Sequence, residues 1–288
     1  MVETYGSDEQ RVYYVDETVF GTCPATPAML SLPAESIDPG FDPGNINLRG
    51  AGSFDLYSIK KGVRKPTLSL AYVLPSDAPI NLLQYLKQDL DKSLSVQVLY
   101  WKGLFATATS ILSLLYTGTR ISKVSVSCAI EDVIKATMDL DAQDLTAGTA
   151  KISNATYADY AGAVAFWETY VKKGVTTLST VTNWKFDVNN NPRRVPVIRS
   201  TDGQLAKYIP WGKREISGEI DFEFEDQAQM IEALGDTEFA LEFGLGGTCK
   251  ATLAACKWTK ITHKNWLDDL ISVKALYDCK GPISIAAS

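Results

Sequence analysis

The chain carries the same small β unit twice, and this repetition limits what it can fold into more than any other feature. The segment RISKVS, Arg120 to Ser125, recurs 137 positions later as KWTKIT, Lys257 to Thr262. At the same offset DVIKATMDLDA, Asp132 to Ala142, recurs as DLISVKALYDC, Asp269 to Cys279. Upstream, GVRKPTLSLAYVL (Gly62 to Leu74) lies over GKREISGEIDFEF (Gly212 to Phe224) at an offset of 150. Two copies of one fold point to architecture and assembly. An enzyme site would use different groups in each half, and none is suggested.

Periodicity gives each copy the same order. Leu68, Leu70, Tyr72 and Leu74 alternate with Ser69, Ala71 and Val73, which is strand spacing. Leu83, Leu86 and Leu90 form a short helical stripe, and Leu94, Val96, Val98 and Tyr100 alternate again. In the second copy Ile220, Phe222 and Phe224 alternate with Glu219, Asp221, Glu223 and Glu225. A short helix with Met230, Ile231 and Leu234 follows, then a strand through Phe239, Leu241 and Phe243. The expected fold is mainly β, with two similar sandwich or half-barrel units, each with a short flanking helix. The expected organisation is an arm over 1–44, a first β domain over 45–150 and a second over 151–288. The arm is expected because Pro24, Pro27, Pro33, Pro39 and Pro43 oppose a long helix or a central strand.

Composition narrows the function. A net charge of −6 and a pI near 5.0 argue against a general nucleic-acid binder, which needs basic surface to displace counterions. The polar, acidic opening predicts no secretory signal. The run from Leu104 to Tyr116 is too short to span a bilayer, so no membrane partner is expected. Five cysteines suit free thiols in a reducing compartment. The single histidine, His263, lies over Val126 in the repeat, an ordinary strand position. Cys249, Cys256, His263 and Cys279 lack the close pairing of a structural zinc site. No catalytic residue, cofactor or metal is expected. The basic run Lys60 to Lys65 reads as a solvated loop or an ion-pairing edge. The acidic row reads either as the solvent face of a sheet or as the wall of a water-filled channel that repels phosphate.

The segment YYVDETVFGTCPATPAM, Tyr13 to Met29, resembles the opening of tailed-virus tail tube proteins, also called major tail proteins. Glu17, Phe20, Gly21, Thr22 and Pro24 match their pattern E-x-x-[FY]-G-T-x-P. NWKFDVNNNP, Asn183 to Pro192, resembles a strand ending in an Asn pair that these proteins also carry. The resemblance implies tail-tube-type units of two packed sheets with a flanking helix. It also implies rings that stack into a tube, with strands of all subunits closing an inner β-barrel through which DNA leaves the capsid. Single-unit members form sixfold rings, so a two-unit chain is expected to close the ring with three copies in pseudo-sixfold symmetry, a hexamer being the alternative. On this reading Glu219, Asp221, Glu223 and Glu225 are candidates for the DNA-facing lumen. Glu17, Phe20, Gly21, Thr22 and Pro24 are candidates for an arm reaching the adjacent ring. The implied partners are further copies of the chain, other tail proteins, and DNA in transit without specific binding. The implied location is the virion tail, assembled in the host cytoplasm. The competing reading is a soluble β-sandwich that binds a ligand or glycan, with Trp101, Trp167, Trp184, Trp211, Trp258 and Trp266 as a sugar platform.

Overall fold

Alternating apolar and polar residues make this a mainly β protein, with nineteen strands among the described residues. The computed structural model describes residues 5–6, 8–52, 54–76, 82–86, 92–108, 111–160, 162–199, 201–224, 228–264 and 271–287. The first half holds β1 (Gln10–Asp16), β2 (Ala28–Leu32), β3 (Ala34–Asp42), β4 (Ile46–Arg49), β5 (Leu56–Lys60) and β6 (Lys65–Val73). A 3-10 turn over Leu82–Leu86 leads to β7 (Leu94–Trp101), β8 (Ile111–Ala129), β9 (Lys135–Asp141) and β10 (Asp144–Gly148). A linker containing β11 (Thr156–Ala158) crosses to β12 (Val171–Lys173), β13 (Thr176–Thr177), β14 (Val181–Asn189) and β15 (Glu215–Glu223). Helix α1 (Ala228–Leu234) precedes β16 (Phe239–Gly244), β17 (Cys249–Lys264), β18 (Ser272–Cys279) and β19 (Ile283–Ala287). The helical stripe of the first half is described only over the 3-10 turn; Leu90 lies outside the described residues.

Eight strands join into one antiparallel sheet in the order β3, β6, β9, β8, β14, β15, β18, β17. Only the C-terminal halves of β8 and β17 belong to it. Their N-terminal halves enter two smaller sheets, β2–β1–β7–β8–β10 and β13–β12–β16–β17–β19. Strands that change sheets form the corners of a sandwich. The sheets do not close into a barrel: among the described residues β3 and the end of β17 have a strand on one side only. One buried core runs through both halves, from Leu70 and Tyr72 across Val126 and Phe186 to Phe243 and Tyr277.

The two halves pair in the same register at fixed offsets. Leu70 opposes Met138, and Ile220 opposes Ala275. β8 opposes β9 at Ile121 and Leu140, skips Ser122, and resumes at Lys123 and Asp139. β17 opposes β18 at Trp258 and Tyr277, skips Thr259, and resumes at Lys260 and Leu276. Further irregularities fall between Leu94 and Val96 in β7 and between Phe239 and Leu241 in β16. The same holds between Ala34 and Ser36 in β3 and between Val181 and Asn183 in β14. A bulge inserts one unpaired residue and re-aims those after it, so its position fixes which face each side chain takes. Gly218 departs from its counterpart Leu68 for a steric reason. A Cβ there would lie 2.2 Å from the Lys185 carbonyl and 2.4 Å from the Tyr277 hydroxyl. That hydroxyl is buried and donates to the Lys185 carbonyl at 3.1 Å.

The expectation of an arm over 1–44 is corrected. Residues 10–42 supply three strands, and Val12, Tyr13, Tyr14, Met29 and Leu32 are buried. β1 lies between β2 and β7, inside a sheet. The prolines are tolerated because they avoid central ladder positions. Pro39 stands in β3, at an edge, where a missing N–H costs no intrachain bond when that position faces outward.

Candidate functional site

Two depressions open on the polar side of the eight-stranded sheet. One depression of about 390 Å³ is lined from five adjacent strands, by residues that include Asp38, Ser69, Asp139, Lys123, Ser125 and Lys185. Beyond β14 a second, of about 200 Å³, is lined by Ser217, Glu219, Thr259 and Asp278 among others. Alternation puts the core residues on the other side. In β14, Trp184, Phe186 and Val188 are buried, while Lys185, Asp187 and Asn189 are partly exposed. The polar side therefore carries a wet, charged trough.

The trough is a lattice of opposite charges. Lys274 meets Glu219 at 2.6 Å, Lys185 meets Asp187 at 3.2 Å, and Lys65 meets Asp42 at 3.2 Å. Asp139 accepts from the Ser69 hydroxyl at 2.7 Å. Hydrogen bonding to Glu219 raises the Lys274 ammonium above its ordinary value. The amide of Gly44, and then Lys65, hold the Asp42 carboxyl below its own. At the rim, burial raises the Asp141 carboxyl despite Arg194 at 2.7 Å. Such half-exposed pairs contribute at most about 1 kcal/mol each, so their effect is to set the potential of the face.

The acidic row behaves unevenly in this setting. Glu219 is ion-paired, and Asp221 accepts from the Asn183 amide at 3.3 Å while its Oδ1 is enclosed. Glu223 is exposed at the end of β15. Glu225 lies outside the described residues. All of Glu219, Asp221 and Glu223 share the polar side of β15 with the trough, since Ile220 and Phe222 are buried.

The motif from Glu17 to Pro24 works inside the chain. The Glu17 carboxylate is buried and accepts from the amides of Gly21 and Gly118, both at 2.8 Å. The hydroxyls of Ser93 and Ser95 donate to it at 2.5 and 2.7 Å. Thr22 closes a tight turn by donating its N–H to the Val19 carbonyl at 3.0 Å. Gly21 takes φ +78° in that turn, and a Cβ there would collide with Gln143. Phe20 is half-buried with the Arg120 guanidinium 5.8 Å from its ring, and Pro24 is half-buried. The motif thus ties the β1–β2 turn to β7 and β8.

One surface escaped the sequence reading. β4 and β5 form a two-stranded hairpin, separate from the main sheets, inserted between β3 and β6. Ile46, Leu48, Phe54, Leu56, Tyr57 and Ile59 are all exposed on it, Tyr57 at 82%. At its base Gly44 and Gly62 bring two backbones together, and a Cβ on Gly62 would lie 2.3 Å from the Gly44 carbonyl. Exposed apolar patches of this kind mark interaction surfaces. Both faces of the hairpin are exposed, so no burial contrast shaped its sequence.

Among the described residues the tryptophans do not gather into a platform. Trp101, Trp184 and Trp258 are buried, and Trp211 lies under the Arg120 guanidinium at 5.1 Å. Trp167 is exposed, and Trp266 lies outside the described residues. The imagined metal set is also dispersed. Cys256 faces Cys279 across the ladder, but Cys249 and His263 stand fourteen residues apart on one strand. That is on the order of 45 Å at strand rise. His263 packs edge-on against Phe224 with ring centroids 5.0 Å apart.

The phage tail tube protein family matches residues 7–256 of the chain. Two solved structures are similar over 43% of this chain and 100% of their own, at 14% identity and a TM-score of 0.36 each. One is the tail of an empty gene transfer agent particle with C6 symmetry, and the other the virion of a native gene transfer agent particle. No curated protein matches the chain. With the family matched over most of its length, the chain belongs to the phage tail tube proteins, structural components of the virion tail that associate with copies of themselves.

Proposed function

We propose that the chain is an internally duplicated tube subunit whose eight-stranded sheet forms part of the inner wall of the tube. One unit runs over residues 10–148 and the other over 171–287, in place of boundaries at 44 and 150. The observation that carries this reading is the shared register, bulge for bulge, of β3–β6–β9–β8 and β14–β15–β18–β17. Three copies supply six units and close a ring with pseudo-sixfold symmetry. The polar trough face lines the channel, and its interleaved charges let DNA phosphates pass without a continuous basic strip to hold them. The exposed β4–β5 hairpin contacts the next ring, a role first expected of the motif around Glu17. Assembly takes place in the host cytoplasm, consistent with five free thiols.

Native mass spectrometry with negative-stain microscopy tests this. Rings or tubes built in multiples of three chains are expected. A monomer at every concentration and salt, or rings of six chains, would overturn it.

A further inference from the structure

The β8–β14 joint lies inside the chain, and its two strands have counterparts at the two free edges. At the offset of 137 positions that carries Lys123 to Lys260, β8 maps onto the end of β17. At an offset of 147, carrying Asn189 to Asp42, β14 maps onto β3. We infer that β17 of one copy pairs with β3 of the next in the register of the internal joint, setting Lys260 opposite Asp42 and Ile261 opposite Phe41. The inference rests on the ring reading and specifies which edges meet and how.

The backbone is ready for this pairing. Asn190 donates its N–H to Ser122, and Ile130 donates its own to Thr182, so Lys123 and Asn189 between them form a non-hydrogen-bonded pair. In the first half, Ala142 donates to Pro66 and Leu74 to Ile134. By alternation Thr67, Ser69 and Ala71 turn their backbone groups to β3, where they meet Gly40, Asp38 and Ser36. Ile37, Pro39 and Phe41 then present theirs outward. On the other edge, Lys280 donates to Ala255 and Phe224 to Ile271. The same alternation assigns Lys260 and Thr262 to β18 and leaves Ile261 and His263 facing outward. Outward groups therefore meet outward groups in the inferred register. Pro39 falls opposite His263, so the joint has one N–H fewer than its internal counterpart.

Side chains agree. Phe41 is 48% exposed, whereas its counterpart Val188 is fully buried. Ile261 and Ile37 pack against the core from half-buried positions, whereas Val124 and Trp184 are buried. The apolar residues left uncovered are those whose counterparts the internal joint covers. Charge also favours the pairing. Lys260 is exposed and faces the exposed Asp42. Opposite charges directly across a non-hydrogen-bonded pair sit at the closest side-chain approach in a sheet. A strand edge left open is an aggregation hazard, and in a closed ring one neighbour covers β3 of each chain while the other neighbour covers β17.

Disulfide trapping tests the register. Two single variants, Asp42→Cys and Lys260→Cys, are mixed and oxidised, with each variant alone and the wild type run in parallel. A band of two linked chains is expected in the mixture at ten times or more its level in either variant alone. Asp42→Cys mixed with Thr262→Cys, two residues out of register, should give no such excess. Rings visible by microscopy without the in-register link would overturn the inference and leave the tube reading standing. A wild type that never assembles would overturn both. A second arm uses charge: Asp42→Lys should raise the concentration needed for assembly roughly tenfold, and Asp42→Lys with Lys260→Asp should restore it. Failure of the double variant to recover, with both proteins folded by circular dichroism, would overturn the pairing of these two residues.

Discussion

Gly118 donates its backbone N–H to the Glu17 carboxylate at 2.8 Å, across 101 positions of sequence. Gly118 has φ +62°, and a Cβ there would lie 2.6 Å from Gln143 and 3.2 Å from the Phe20 ring. The carboxylate and the glycine thus close one buried knot. Glu17→Ala strands the Ser93 and Ser95 hydroxyls and two amides. An unsatisfied buried donor costs about 1–3 kcal/mol, so a loss of about 3 kcal/mol or more is expected. Thermal unfolding should begin about 6–10 °C lower. An unchanged Tm would show that water replaces the carboxylate without cost.

Deleting residues 1–28 should abolish folding. It removes β1 together with Val12, Tyr13 and Tyr14, and each large buried side chain lost costs about 2–5 kcal/mol. Their sum reaches the whole stability of a typical domain. A soluble truncated chain with native near-UV circular dichroism would restore the idea of a dispensable arm.

Replacing residues 46–60 by a short Gly–Ser link should leave the fold intact, because none of the hairpin's described residues belongs to the core. Tm should stay within about 3 °C, since surface changes usually cost under 0.5 kcal/mol. Rings should still form while stacked tubes disappear from micrographs. Long tubes from this variant would place the inter-ring contact elsewhere.

Glu223→Lys tests the channel face with the least structural disturbance, because Glu223 is exposed whereas Glu219 is tied to Lys274. Tubes should assemble normally. DNA should be retained on them in a filter assay at low salt and released as salt rises, because screening acts over about 8 Å at physiological strength. Equal retention by wild type and variant would put this face outside the channel.

The strands of the long sheet were legible because one face is buried. Leu68, Leu70 and Tyr72 alternate with polar partners, as do Ile220 and Phe222. The three strands of 10–42 were hidden by prolines, whose harmlessness depends on which strand ends up at an edge. The hairpin was hidden for the opposite reason: with both faces wet, nothing forces a period of two. The acidic row was half legible. Its alternation showed that it faces water, but Lys274 and Asn183, which moderate it, reach Glu219 and Asp221 only through the neighbouring strands β18 and β14. The working of Glu17 depends on Gly118 and Ser93, remote in sequence, and no spacing rule announces such a contact.

The β8–β14 joint has a further consequence, for dilution. Both of its strands belong to one chain, so its occupancy is independent of protein concentration. A joint between free edges obeys mass action and weakens as copies become scarce. In the ring proposed above, disassembly on dilution therefore runs along one kind of seam. The smallest particle of such a ring is the single chain, with its eight-stranded sheet intact and both proposed seam edges, β3 and β17, on it.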